Sequence, residues 1–330
     1  MERDPLSDVL HSVRLTGAVF YLVDCIAPWV AETPPTRDMA GTLIPGAQHV
    51  FEFHALVAGE CWAGPVGEEA IRLRAGDFVA FPRGEPHAMS SAPGMRAPPD
   101  PAIFAQAARL PRPVHVEYGQ GDGARARLVC GFLGCDARPF NPLLDALPRV
   151  LHGSSGAGGE WLAHLVQVAI GEARERGPGS DSVLARVSEL LFIGLVRRYA
   201  LRLPPDQTGW LAGLRDAFVG KAIERLHARP ADPWTLDRLA REVGLSRSAL
   251  AERFTRLVGE PPMHYLTRWR MQLASLQLST GASVQAVAGE VGYASEAAFS
   301  RAFKKVVGAP PATWAEARRG AGEAEEAFPA

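Results

Sequence analysis

Two segments near the C-terminus carry short polar and long basic side chains at helical spacing. In the later segment, Ser300, Arg301 and Lys304 follow Ala297 at i+3, i+4 and i+7, positions that share one face of an α-helix. Such a face suits the major groove of DNA, where an arginine can donate two hydrogen bonds to a guanine. The corresponding face of the earlier segment carries Ser248, Ala251, Glu252 and Thr255. The spacing therefore indicates nucleic-acid recognition.

Both faces belong to a repeat, which predicts the elements that hold them. Residues 236–262 read LDRLAREVGLSRSALAERFTRLVGEPP, and residues 284–311 repeat the pattern as VQAVAGEVGYASEAAFSRAFKKVVGAPP, with one residue added at the turn. In each copy a short helix with an apolar face ends at a glycine, and a second helix starts after a serine N-cap, Ser246 or Ser295. Two copies of one small folding unit are expected to look like this. The repeat predicts two helix-turn-helix units.

Residues 210–319 resemble the DNA-binding domain of the AraC/XylS family of bacterial transcription regulators. The resemblance covers both units, the segment ahead of them and the helix predicted at 262–278 that joins them. It implies recognition helices at about 247–257 and 296–306 that enter successive major grooves. The side chains that it places towards the bases are Ser248, Ala251, Glu252, Glu296, Ala297, Ser300 and Arg301. The side chains that we expect at phosphates are Arg247, Arg253, Arg256, Arg268, Arg270, Lys304 and Lys305.

Positive charge is concentrated in the repeat region. The whole chain holds 35 basic and 36 acidic residues, a balance that by itself argues against nucleic-acid binding. Residues 215–319, however, hold 16 Lys and Arg against 10 Asp and Glu, a net charge of +6. Residues 1–214 hold 19 against 23, a net charge of −4. The charge distribution assigns nucleic-acid binding to the C-terminal part.

The N-terminal part predicts β structure. Its β-forming residues cluster between Gly and Pro breaks, a pattern typical of a barrel or sandwich. Residues 76–87, GDFVAFPRGEPH, resemble the second cupin motif up to His87, whereas Ser91 stands where that motif has asparagine. His54 could match one histidine of the first cupin motif, but its His-x-His pair is absent because residue 52 is Glu. We expect an α+β multidomain protein with a cupin-like β-barrel at 1–140.

The candidates in this barrel for holding an effector or a metal ion are His49, His54, Glu60 and His87. A cupin enzyme usually holds its metal with about three histidines and a carboxylate, and two of the four candidates are poorly placed in the motif. We therefore predict no enzyme activity, no cofactor and no metal, and we expect the barrel to sense an effector. The alternative is a cupin-type metal-dependent enzyme, or a small-molecule binding protein whose helical domain makes protein contacts.

The cysteines offer a second sensing hypothesis. The four are Cys25, Cys61, Cys130 and Cys135, and in the cytosol they would be mostly reduced. The resembled family has a branch with this cupin arrangement that includes regulators responding to oxidants through thiols, so a redox effector is an alternative to a small molecule. Cysteines are also common as small buried hydrophobic residues. The sequence leaves both interpretations open.

Residues 141–203 show apolar residues at helical spacing and predict a helical connector. The family resemblance adds dimerisation through this connector, so the expected partners are double-stranded DNA, a second copy of the chain and RNA polymerase. No apolar run approaches the ~20 residues of a membrane helix, and the N-terminus lacks a signal sequence, so we expect a cytoplasmic location. The Pro- and Ala-rich stretch 91–114 predicts a mobile excursion, and 320–330 a disordered tail.

Overall fold

The computed structural model describes residues 4–13, 15–44, 46–100, 114–154, 160–175 and 177–326. These residues form two compact units. The described residues within 1–14, 136–146 and 203–330 make up the helical unit, and those within 15–135 and 147–202 make up the sheet unit. No helix in these described ranges is both long and apolar enough to cross a membrane.

The helices and strands follow one another along the chain in two sets. The helices are α1 (Pro5–Ser12), α2 (Ala40–Leu43), α3 (Pro142–Ala146), α4 (Glu160–Glu175), α5 (Ser180–Arg202), α6 (Trp210–Arg215), α7 (Val219–Ala228), α8 (Leu236–Val243), α9 (Arg247–Val258), α10 (Pro262–Ser279), α11 (Val284–Glu290), α12 (Glu296–Val307) and α13 (Pro311–Glu326). The strands are β1 (Thr16–Ile26), β2 (Val30–Thr33), β3 (His49–Ala58), β4 (Glu60–Pro65), β5 (Ile71–Arg74), β6 (Asp77–Phe81), β7 (His87–Ser90), β8 (Val114–Tyr118), β9 (Arg125–Cys135) and β10 (Leu151–Ser154).

The sheet unit is built from two sheets, as the predicted cupin-like β domain requires. One sheet has the strand order β10-β6-β3-β9-β1-β8, and the other has the order β2-β7-β4-β5. Neighbouring strands are antiparallel except for β1 and β8, which are parallel. A single core cluster of buried side chains draws on strands of both sheets. The strands therefore enclose a shared interior.

Strand β3 is buried on both of its faces. Its Phe51 packs against Phe192 of α5, with ring centroids 4.5 Å apart. Val50 belongs instead to the core cluster between the sheets. Because side chains alternate along a strand, Glu52 and His54 lie on the same face as Val50. Two polar residues of β3 therefore point into the interior.

Helices α4 and α5 form a hairpin that packs on the six-stranded sheet. The two helices approach closely at Gly194 of α5, where a Cβ atom would lie 2.5 Å from Trp161 and Leu162. This packing makes residues 147–202 part of the sheet unit. We predicted a helical connector at 141–203. Most of that segment instead belongs to the sheet unit, because the hairpin packs on the sheet through contacts such as that between Phe192 and Phe51.

One buried side chain joins segments of the helical unit that are distant in sequence. Gln272 of α10 donates a hydrogen bond from Nε2 to the carbonyl of Ser12 at 2.8 Å, and its Oε1 accepts one from the N–H of Phe140 at 3.0 Å. Helix α1 and residues 136–146 consequently belong to the helical unit. The chain is therefore not divided between the two units at the predicted boundary, residue 140.

The helical unit contains both predicted helix-turn-helix units. Helices α8 and α9 form the first, α11 and α12 form the second, and α10 joins them. The predicted second helices at 247–257 and 296–306 and the predicted joining helix at 262–278 are each confirmed to within one residue.

Local chemistry explains these bounds. Ser246 and Ser295 each accept a hydrogen bond at 3.2 Å from the backbone N–H three residues on, as N-caps do. The turn of the second unit requires Gly292, whose φ is 83° and whose Cβ would lie 2.4 Å from the carbonyl oxygen of Ala231.

The C-terminal helix α13 ends at Glu326. It therefore runs into the segment 320–330, for which we predicted disorder, and residues 327–330 lie outside the described residues. Residues 101–113 of the predicted excursion at 91–114 also lie outside them.

Candidate nucleic-acid interface and sensing site

The second helix of each unit presents its predicted recognition face away from its core. On the buried side, Leu250 and Phe254 of α9 and Phe299 and Phe303 of α12 are fully enclosed. On the opposite side, Ser248, Glu252, Glu296, Ala297 and Arg301 are exposed, and Ala251 and Ser300 are half-buried. The side chains predicted to face the bases therefore share the solvent side of the two helices.

The cations predicted at phosphates fall into two groups. The first group is exposed, as recognition of an external anion requires, and consists of Arg247, Arg256, Lys304 and Lys305. Arg247 lies 3.8 Å from Asp237. Within the described ranges, the side chains of Arg256, Arg301, Lys304 and Lys305 form no hydrogen bond or ion pair. These four cations are available to another molecule.

The second group of predicted phosphate contacts is engaged within the helical unit. Arg268 of α10 lies 4.1 Å above the ring of Phe140 and donates a hydrogen bond to Glu260 at 3.2 Å. Arg270 donates to the carbonyl oxygens of Pro230 and Asp232 at 2.7 and 2.8 Å, and burial lowers the pKa of its guanidinium. These two arginines hold the segments around α10 together.

Arg253 belongs to the same internal group. Its guanidinium forms a bidentate hydrogen bond with Asp216, with distances of 2.6 to 3.0 Å. Asp216 also accepts hydrogen bonds from the N–H groups of Phe218 and Val219 at the start of α7. Burial alone would raise the pKa of Asp216, but the hydrogen bonds from Arg253 and the backbone hold it below its ordinary value. The pair fixes α9 to α7.

A different site lies inside the sheet unit, where strands of the two sheets face each other. His54 of β3 and His87 of β7 have their Nε2 atoms 3.0 Å apart. Glu52 completes the group, with Oε2 at 3.2 Å from Nε2 of His87 and Oε1 at 3.6 Å from Nε2 of His54. All three side chains are buried. They are the group within the described residues that could hold a metal ion.

The hydrogen bonds around this cluster define the state of its members. Nδ1 of His87 lies 3.0 Å from the carbonyl oxygen of Glu85 and donates to it, because a carbonyl oxygen can only accept. Nδ1 of His54 lies 3.0 Å from the sulfur of Cys130. Burial lowers the pKa of His54 to about 4, so this ring is neutral at physiological pH. Burial alone would raise the pKa of Glu52, but His54 and His87 lower it, which leaves a carboxylate.

The structure brings together only half of the predicted effector or metal set. His54 and His87 meet, but His49 lies on the opposite face of β3 and its Nε2 contacts the carbonyl oxygen of Pro82 at 2.6 Å. Glu60 is exposed and pairs with Arg72 at 2.5 Å. The residue missed from the sequence is Glu52. Its signal was available, because residues 52 and 54 share a strand face whereas 49 does not.

The cysteines are all reduced and buried. Burial raises the pKa of Cys25 and of Cys61 to about 12, and it raises that of Cys130 well above the ordinary thiol value. The thiolate is the form that reacts with oxidants. Burial therefore disfavours the first step of the predicted redox response, which stays a prediction.

A cavity of about 50 Å³ adjoins the buried cluster. Its walls are mostly apolar and include Trp29, Met89 and Tyr118, while Glu52 and His54 supply polar atoms. This volume is large enough for at least one water-sized group, since a cavity needs about 10–15 Å³ by this measure to hold a water.

Comparisons with known proteins agree with both parts of this architecture. Residues 4–200 match the family model described as Cupin, and residues 239–317 match the model described as Helix-turn-helix domain. The chain is 34% identical over 311 residues to an AraC-like transcription regulator of Streptomyces lividans, covering 93% of this chain and 96% of that protein. It is 35% identical over 313 residues to a similar regulator of Streptomyces antibioticus, covering 93% and 97%.

A further relative is the HTH-type transcriptional regulator AlkR of Acinetobacter baylyi, at 37% identity over 174 residues, which cover 52% of this chain and 56% of AlkR. The two Streptomyces relatives match along nearly their whole length, so the match includes the cupin domain as well as the helical one. The chain therefore belongs to the AraC family of DNA-binding transcription regulators and carries a cupin domain ahead of its helix-turn-helix domain.

Proposed function

We propose that α9 and α12 are the two recognition helices of this regulator and that α12 supplies most of the electrostatic contact with DNA. The observation that carries the proposal is the exposed cationic face of α12, where Arg301, Lys304 and Lys305 form no internal ion pair among the described residues. The matching face of α9 carries the acidic Glu252 and the short Ser248. Two unlike recognition helices in one chain read an asymmetric site.

Arg301 is the proposed specific contact. Arginine paired with the O6 and N7 atoms of guanine is the commonest specific contact in the major groove. Arg301 occupies the middle of the exposed face of α12, next to Ser300 and one turn from Ala297. Lys304, Lys305, Arg247 and Arg256 are the proposed phosphate contacts, which add affinity without sequence information.

Gel-shift titration of the chain with DNA from upstream of its own gene tests this assignment. Arg301→Ala is expected to weaken binding to the specific site by about tenfold or more, while binding to unrelated DNA changes much less. Arg37→Ala is the matched control, because Arg37 is an exposed arginine of the sheet unit and its substitution removes the same charge from the chain. Equal losses on specific and unrelated DNA would contradict a base-reading role for Arg301.

We propose that the chain forms a homodimer through the α4–α5 hairpin. This hairpin exposes large apolar side chains, namely Trp161, Val168, Val183, Leu190 and Leu201. Exposed apolar side chains that lie together in one patch mark a protein interface. Trp161 and Val168 are seven residues apart, as are Val183 and Leu190, so each pair lies on one face of its helix. Light scattering at micromolar concentration is expected to give the mass of a dimer, and Leu190→Glu is expected to give a monomer. A monomeric wild-type chain, with and without DNA, would contradict the proposal.

The buried cluster of Glu52, His54 and His87 is the proposed sensing site of the cupin domain. It is polar and enclosed, it lies between two sheets, and it adjoins a cavity. A ligand held there would alter the packing of β3 against β7. Substituting His87 is expected to change the response of the target promoter without abolishing DNA binding.

A regulator of this kind acts on chromosomal DNA and on RNA polymerase, so we infer a cytoplasmic location and RNA polymerase as a partner.

A further inference from the structure

We propose that Arg270 is a positioning residue that fixes the angle between the two helix-turn-helix units, and thereby the spacing of the two DNA segments that the chain reads. The inference rests on the proposed function for its effect on DNA, because it takes α9 and α12 as the recognition helices. The rigidity of the joint is a property of the helical unit and can be measured without DNA.

The two helix-turn-helix units have their cores at opposite halves of α10. In the first half, Tyr265 packs on Phe254 of α9, with ring centroids 5.7 Å apart. In the second half, Met271 and Leu278 share a buried cluster with Phe299 of α12. A long helix can bend along its length, so α10 alone does not fix the angle between the units at its two ends. A fixed angle requires a second connection.

The 229–235 loop, which joins α7 to α8, is fastened to the first unit. Arg238 of α8 donates a hydrogen bond to the carboxylate of Asp232 at 2.6 Å. The indole of Trp234 is buried and donates to the carbonyl oxygen of Arg229 at 2.8 Å. The guanidinium carbon of Arg238 lies 4.4 Å from the ring centroid of Trp234. The loop is therefore held in a fixed position on α8.

Arg270 ties this loop to the middle of α10. Its Nε donates to the carbonyl oxygen of Pro230 at 2.7 Å, and its Nη2 donates to that of Asp232 at 2.8 Å. Its guanidinium carbon also lies 5.7 Å from the ring centroid of Tyr293, in the turn of the second unit. Tyr293 packs in turn on Phe299 of α12, with ring centroids 5.7 Å apart. One side chain therefore contacts both the loop of the first unit and the turn of the second.

The loop also touches the turn of the second unit directly. A Cβ atom at Gly292 would lie 2.4 Å from the carbonyl oxygen of Ala231, so this approach requires glycine. Ala231 stands between the two residues whose carbonyl groups bind Arg270. Because Arg270 holds that stretch of backbone in place, it also holds the contact with Gly292. The two units are therefore joined at a second point, outside α10.

A fixed joint imposes a spacing requirement on the DNA. One base pair inserted between the two recognised segments shifts the second segment by about 3.4 Å along the DNA axis and rotates it by about 35°. A rigid pair of recognition helices cannot follow that displacement, whereas a pair joined by α10 alone can tilt towards it. Loss of the Arg270 contacts should therefore relax the spacing requirement.

The first experiment measures the joint without DNA. Ser248→Cys and Ala297→Cys place spin labels at exposed positions of α9 and α12, and pulsed electron–electron double resonance gives the distribution of distances between the labels. The native cysteines are buried. We expect a narrow distribution in the chain that retains Arg270, and a broader one with Arg270→Met, which keeps the length of the side chain but cannot donate hydrogen bonds.

Arg268→Met is the matched control for this measurement. It removes the same charge from the same helix, but Arg268 contacts Phe140 and Glu260 rather than the 229–235 loop, so the narrow distribution should persist. Circular dichroism verifies that each variant is folded. A broad distribution in the chain that retains Arg270, which involves no change at the joint, would overturn the proposal. An equally narrow distribution in folded Arg270→Met would also overturn it.

The second experiment uses the site that footprinting locates in the DNA upstream of the protein's own gene. One base pair inserted between the two protected segments is expected to weaken binding of the wild-type chain by about tenfold or more. The corresponding loss for Arg270→Met should be smaller by about threefold or more. A phosphate contact would instead make Arg270→Met lose the same affinity at both spacings, and that result would overturn the positioning role.

The outcomes separate this inference from the proposed function. Wild-type binding that depends on both DNA segments but tolerates the insertion would overturn the fixed joint and leave the recognition helices in place. Specific binding that is unchanged by Arg301→Ala would contradict the assignment of α12, whereas the distance distributions measured without DNA would still decide whether Arg270 fixes the joint.

Discussion

Replacing Gln272 with methionine tests how the N-terminal helix is joined to the helical unit. Methionine has nearly the same length and volume, but it neither accepts a hydrogen bond from the N–H of Phe140 nor donates one to the carbonyl of Ser12. Both of those bonds, at 3.0 and 2.8 Å, connect residues that are almost completely buried. The substitution therefore removes two hydrogen bonds without creating a large cavity.

The magnitude follows from the two backbone groups that are left behind. A buried donor or acceptor without a partner costs about 1–3 kcal/mol, so two such groups predict a loss of about 2–6 kcal/mol. Relaxation of α1 and of residues 136–146 towards water would favour the lower end of that range. A loss of about 2 kcal/mol corresponds to about 30-fold faster hydrogen exchange where the exchange rate follows the opening equilibrium, at 1.36 kcal/mol per tenfold change.

Hydrogen exchange followed by mass spectrometry is the appropriate assay, because it reports the local free energy of opening segment by segment. We expect faster exchange in peptides that cover 5–13 and 136–146 in the Gln272→Met chain. Gln207→Met is the matched control, because Gln207 is exposed and surface substitutions change stability by about 0.5 kcal/mol or less. Unchanged exchange of both segments in Gln272→Met would refute the role given to this side chain.

Three further predictions follow from the sites. Lys304→Ala is expected to reduce the slope of log affinity against log salt by about 0.9, the contribution of one phosphate contact; an unchanged slope in filter-binding titrations would remove Lys304 from the interface. The pKa of Asp216 is lower in the folded state, so its stabilising contribution is present above the unfolded value of about 3.9 and is lost as the pH falls through the lower folded value. Urea titrations should therefore show Asp216→Asn destabilised at neutral pH and closer to wild type at about pH 3; equal destabilisation at both would contradict the coupling to Arg253. Because burial raises the pKa of Cys25 to about 12, iodoacetamide should label this thiol rapidly only after unfolding, and fast labelling of the native chain, detected by mass spectrometry, would revive the redox hypothesis.

The helix-turn-helix units were predictable in detail because their determinants are local. The caps Ser246 and Ser295 and the positive φ of the glycine at each turn are set within a few residues, and the repeat displays the same pattern twice. The observed helices consequently match their predicted bounds. Local signals of this kind survive folding unchanged.

The roles of the arginines were less predictable. Arg253 and Arg256 are three residues apart on α9 and look equivalent in sequence, but Arg253 is bound to Asp216, 37 residues away, whereas Arg256 is exposed. Arg270 is likewise held by carbonyls of the 230–232 segment. Helical periodicity shows which face of a helix a side chain occupies, but it does not show which other residues pack against that face.

The proposed sensing site shows the same contrast between local and tertiary information within a single strand. Alternation along β3 is enough to group Glu52 with His54 and to separate both from His49. No sequence spacing shows that His87 of the other sheet lies 3.0 Å from His54, because sheet pairing and closure decide that distance. The tertiary structure therefore adds the carboxylate of Glu52 to the candidate site and excludes Glu60 from it.

By itself, the sequence determined that this protein carries two unlike helix-turn-helix units, a localised positive charge and an N-terminal cupin-like domain, because repeats, caps and charges are written along the chain. Only the tertiary structure decided which of the candidate cations are exposed, which three side chains converge inside the cupin domain, and that α1 and residues 136–146 belong with the helical unit. The physical reason is that hydrogen bonds, ion pairs and ligand sets depend on distances between residues that are far apart in sequence, and packing alone sets those distances.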